Sequence, residues 1–131
     1  NSRRNLFYTI KSHDFDRPEL NARIEHYCNR FGLGGQAHRF VQLAVEESLN
    51  IIPLDNKVEL VLSKNNDEVR MSLDLTFDDT GHDCFKEDNV SEENFLSLNI
   101  LQGLCDVIEE KVEKDLRHIH LELNQERLLL R

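Results

Sequence analysis

The sequence has little that would place it in a membrane, on nucleic acid or around a metal cluster. No apolar stretch continues for more than a few residues before a polar or charged residue interrupts it, far short of the roughly 20 that a spanning helix needs. A positive surplus is also missing. Basic residues number 16 against 25 acidic ones, a formal charge of −9, and such a surface repels a phosphate backbone. Cysteine is sparse: Cys28, Cys84 and Cys105 are odd in number, far apart and in no Cys-x-x-Cys pair. That pattern points to reduced thiols in a cytoplasmic protein and away from a metal cluster. The chain opens Asn1-Ser2 with no initiator Met and no apolar leader, which suits a domain excised from a larger protein. Internal repeats, low-complexity segments and a Ser-His-Asp or Cys-His arrangement are not found either.

What remains is 131 residues, 39% hydrophobic and 31% charged, enough for one globular domain spanning 1–131 and too little for two. Leu6 to Ile10 is aromatic and β-branched and reads as a first strand. Asp16-Arg17-Pro18-Glu19 is a helix start, with Asp16 as cap and Pro18 in the first turn. Leu20, Ile24, Cys28 and Phe31 follow at helical spacing until Gly32 ends the helix. From Gln36 to Ile52 the apolar residues recur at three and four, and Pro53 closes this second helix. Val58–Leu62 and Val69–Phe77 alternate on either side of the turn-rich Lys64-Asn65-Asn66-Asp67, predicting a β-hairpin. Asp78 to Asn94 is acidic and without period, a long loop. A third helix is expected from near Phe95, with Leu98, Leu101, Leu104, Cys105 and Ile108 on its apolar face. His118 to Leu123 alternates as a last strand. The order β-α-α-β-β-α-β predicts a two-layer α/β (α+β) sandwich, a mainly antiparallel sheet with helices on one face.

One pair on the second helix has chemical potential. Glu46 falls opposite the apolar stripe and Asn50 lies one turn further along nearly the same line. An amide oxygen can ligate Mg²⁺, and a carboxylate beside it can orient or deprotonate a water or hydroxyl. Taken alone, such a pair is ordinary on a solvated helix face.

The pair sits within Leu43-Ala44-Val45-Glu46-Glu47-Ser48-Leu49-Asn50-Ile51-Ile52, which resembles the N-box helix of the anti-sigma-factor serine kinases in the histidine-kinase-like ATPase superfamily (Bergerat fold). Asp78-Asp79-Thr80-Gly81 follows the hairpin where that family carries its first glycine box, Asp-x-Gly-x-Gly. Leu98 to Asp106 resembles the helix after the second box, with its Asp near the end. The resemblance implies a histidine-kinase-like ATPase fold over roughly Phe7 to Leu123, with ATP and Mg²⁺ as ligands. It implies Glu46 as general base, Asn50 as Mg²⁺ ligand, Asp79 as acceptor for the adenine amino group, and Gly81 as the point where backbone passes the base. It further implies a regulatory protein partner or another domain of the same parent chain, and admits a homodimer.

The departures gather at the phosphate end. Asp83 replaces the second glycine of the first box, and Phe95-Leu96-Ser97-Leu98 stands where the second box is written Gly-x-Gly-Leu. Amides at a helix N-terminus hold phosphate because nothing blocks their approach. The loop between the boxes carries Asp83, Glu87, Asp88, Glu92 and Glu93 against Lys86, a lid that repels a triphosphate. Pro53-Leu54 stands where the family usually has a His or aromatic. The sequence therefore predicts a regulatory domain of this type with ATP binding weakened or lost, or a protein-binding module that keeps only the fold.

His118, His120 and Glu122 share one face of the last strand but lack a visible fourth ligand, so a solvated face is expected there. Cys28 and Cys105 are expected in the core. Cys84 is expected at the surface, with its thiol pKa raised by neighbouring carboxylates.

Overall fold

The computed structural model describes residues 4–12, 14–33, 35–53, 55, 57–65 and 70–128. The elements run β1 (Asn5–Ile10), α1 (Arg17–Arg30), α2 (Ala37–Ile51), β2 (Val58–Lys64), β3 (Met71–Asp78), α3 (Glu92–Leu104), β4 (Cys105–Glu113), β5 (Leu116–Leu123) and the short α4 (Gln125–Leu128). Residues 66–69, which include part of the expected turn, and Leu54 lie outside the described residues.

The five strands form one sheet in the order β1-β2-β3-β5-β4, every neighbouring pair antiparallel. Strand period places alternate side chains on opposite faces, and here the two faces differ sharply. Val58, Leu60, Leu62, Met71, Leu73, Leu75, Ile119 and Leu121 are at most 1% exposed and face the helices. Ser72, Asp74, Thr76, His118, His120 and Glu122 occupy the intervening positions and are only partly covered. The fold is thus α+β, with an antiparallel sheet buried on one face.

The helix boundaries follow from caps. Asp16 Oδ1 accepts from the Glu19 amide at 3.0 Å, with Pro18 in the first turn. After α1, Gly32 takes φ +66° while its amide and that of Leu33 return to Asn29 and Cys28, the left-handed stop that glycine permits. Ser91 caps α3 through the Asn94 amide, so this helix begins at Glu92, three residues ahead of the expected start.

The expected order needs one correction. The third helix does not continue through Cys105 and Ile108; it stops at Leu104, and Cys105–Glu113 is a strand. Apolar residues at three and four through Ile108 suggest helix, but the β-branched Val107, Ile108 and Val112 suit a strand. Pairing decides it. β4 covers the edge of β5, with Ile108 opposite Leu121 and Glu110 opposite Ile119, and Lys114 turns the hairpin at φ +60°. Asp106, expected near a helix end, is therefore on a strand.

Candidate functional site

α2 is packed between α1 and α3, and this splits the Glu46–Asn50 pair. The two positions differ by only about 40° around the helix, yet they face different neighbours. Glu46 joins Phe15, Arg17, Leu20, Asn21, Val45 and Leu49 around a hollow of about 10 Å³, room for a single water. Asn50 turns to α3. Its amide nitrogen donates to Glu47 Oε1 at 3.1 Å and to Ser97 Oγ at 3.3 Å, and Ser97 Oγ donates to the same Glu47 oxygen at 3.0 Å. Ser97 is buried and Asn50 exposed, so this triangle bridges the two helices from the buried side of their seam to its surface.

Asp79 and Gly81 are together at the start of the loop that follows β3. The Gly81 amide donates to Asp79 Oδ1 at 2.9 Å and Gly81 has φ +86°. A Cβ on Gly81 would meet nothing within 4 Å, so within this chain the glycine answers a need of conformation and not of space.

Asp79 is held from the other side by Arg117. Its Oδ1 accepts from Arg117 Nε at 3.1 Å and Nη2 at 2.7 Å. Arg117 Nη1 reaches Asp83 at 2.7 Å and Glu110 at 2.9 Å. The Arg117 and Glu110 side chains are only 3% and 4% exposed. Glu110 also accepts from the amides of Cys84 and Phe85, both at 2.9 Å, and this ties residues 79–85 to the end of the sheet. A buried guanidinium is tolerated because three carboxylates surround it.

The electrostatics agree. The Gly81 amide first, and then Arg117, holds the Asp79 carboxyl below its ordinary value. Lys86 and then Arg117 do the same for Asp83, and Lys86 meets Asp83 at 2.8 Å. Part of the expected lid repulsion is thereby neutralised inside the loop.

Arg117 and Glu110 are the residues that sequence reasoning missed. A signal for Arg117 existed: it shares the inward parity of Ile119, Leu121 and Leu123, so a charge stands in an apolar row. Glu110 lies between the expected third helix and the expected last strand, outside both.

Cys84 is buried, not exposed as expected. Burial first and Glu110 second push its thiol up to about 12. Cys28 is in the core, and Cys105 lies half-covered at the α3–β4 junction.

A hollow of about 350 Å³ beside the loop is lined by Phe85, Leu98, Gln102, Cys105, Asp106 and Ile108. It includes none of Glu46, Asn50, Asp79 and Gly81. On the open face of the sheet, His120 lies between Asp74 at 2.7 Å and Glu122 at 3.1 Å. Among the described residues no group of three or more His, Cys, Asp or Glu is arranged to hold a metal ion, and no helix is long and apolar enough to cross a membrane.

Comparison with protein-family models and with curated proteins finds no match to this chain.

Proposed function

We propose that this chain is a regulatory domain of the anti-sigma-factor serine kinase type that binds Mg·ATP weakly or not at all and acts through protein contacts. The triangle of Asn50, Glu47 and Ser97 carries this reading. It joins the N-box-like helix to the segment that replaces the second glycine box, two pieces that the resemblance pairs around a phosphate. Here they meet through side chains. A serine hydroxyl and a carboxylate bridge the seam, and the negative charge of Glu47 opposes an incoming phosphate.

The grip of Arg117 on Asp79 favours the stronger form, a module that works without nucleotide. The carboxylate proposed to accept from adenine already takes three donors on one oxygen. An adenine amino group would meet a carboxylate whose charge Arg117 already offsets, and so a weaker acceptor.

Calorimetric titration of the folded chain with Mg·ATP tests the proposal. We expect no saturable heat up to millimolar nucleotide. A dissociation constant in the low micromolar range overturns it.

A further inference from the structure

The outer face of α3 is costly to the chain that carries it. Phe95 is 44% exposed and Leu96 is 67% exposed, on a helix whose inward face already has Leu98, Leu101 and Leu104 to bury. One turn and two turns beyond Leu96, at spacings of three and seven, lie Asn99 and Gly103, both exposed. Gly103 is in the last turn of a helix, where glycine is unfavourable. Its φ is not positive, and a Cβ there would meet nothing within 4 Å, so no contact among the described residues requires a glycine. A bare helix surface beside two exposed apolar side chains is what a second backbone needs for close approach.

The charge around this strip selects the occupant. Glu92 and Glu93 are exposed in the first turn of α3, and Glu87 and Asp88 are exposed in the loop before it. The loop cation Lys86 is engaged by Asp83. A second copy would bring a formal charge of −9 of its own, which disfavours self-association.

We propose that the outer face of α3, with Phe95 and Leu96 as anchors and Gly103 as the point of close approach, is the docking surface for a basic amphipathic helix of a protein partner. This gives partner chemistry to the protein-contact half of the function proposed above. It is independent of the nucleotide half, so the Mg·ATP titration and the test below fail separately.

The test uses three synthetic helical peptides of equal length: one of Leu and Lys with a single apolar stripe, one with Glu in place of Lys, and one with Ser in place of Leu. Binding is read by fluorescence anisotropy and mapped by NMR shifts on the intact chain. The Leu–Lys peptide is expected to saturate, with shifts concentrated at residues 92–103. The other two are expected to bind at least 10-fold more weakly. Gly103→Leu blocks close approach and is expected to weaken the Leu–Lys peptide at least 10-fold. The double variant Phe95→Ser/Leu96→Ser changes only exposed positions, so it remains informative if Gly103→Leu does not fold; the same loss is expected. Glu92→Gln/Glu93→Gln is expected to weaken binding severalfold and to flatten its salt dependence. The proposal is overturned by equal binding of the Leu–Glu or Lys–Ser peptide, by shifts centred on another surface, or by an unaffected double variant. Absence of binding, or concentration-dependent shifts of α3 in the chain alone, also overturns it.

Discussion

At the scale of single residues, Arg117 has the largest consequence. Its guanidinium is buried against Glu110, whose carboxylate also holds the amides of Cys84 and Phe85. Removing one partner of a buried pair leaves the other uncompensated, which costs about 3–5 kcal/mol. Arg117→Met is therefore expected to lose stability of that order in urea denaturation, with Cys84 becoming reactive toward a thiol reagent in the folded state. If Arg117→Met unfolds at the wild-type urea midpoint, the loop is held by something other than this network. Asp79 and Gly81 were singled out by the family resemblance, on a segment expected to be a loop. Their tie to Arg117 was not legible, because 38 residues separate Asp79 from Arg117 and only the pairing of β3 with β5 brings them together.

At the scale of elements, local rules identified most of the fold. The starts of α1 and α3 rest on side-chain caps, Asp16 on the Glu19 amide and Ser91 on the Asn94 amide. Replacing either by Ala is expected to cost about 1 kcal/mol, read as a shift of the urea midpoint. A negligible shift in both variants would mean that packing, not capping, fixes these boundaries. Asp16 was legible as a cap because Pro18 and Glu19 follow it. Ser91 was not, since it lies within a run of acids with no apolar period. The helical reading of Cys105 to Ile108 failed for a different reason: its apolar spacing fits both periods over so short a stretch, and the choice depends on a partner strand further along the chain. The Glu46–Asn50 pair shows the same limit. Helical geometry put the two side chains on nearly one line, but flanking helices decide where each side chain goes.

For the whole molecule, stability should depend on pH from both sides. His120 is drawn down by desolvation, but the hydrogen bonds of Asp74 and Glu122 outweigh this and hold its pKa above the ordinary 6.5. A raised folded value gives stability that is fully present below the unfolded pKa and is lost as pH rises through the folded one. Asp79 and Asp83 are lowered from 3.8, so their contribution is present above that value and is lost as pH falls through the folded pKa. Urea midpoints measured against pH should therefore fall below the carboxylate range and again above the histidine range. In His120→Gln the fall on the alkaline side should be reduced. An unchanged alkaline limb in that variant would mean that His120 is not the group responsible.

The strand order also has a consequence for the chain as it is made. β5 lies between β3 and β4 in the sheet but follows both in sequence. Until β5 emerges during synthesis, β3 has one open hydrogen-bonding edge and β4 has no neighbour in the sheet, a state that invites pairing with the wrong chain. Arg117 travels on that same late strand. Arg117 follows Asp79 by 38 residues and Asp83 by 34, so the acidic loop is made ahead of its clasp, and a single segment then closes the sheet and secures the loop together.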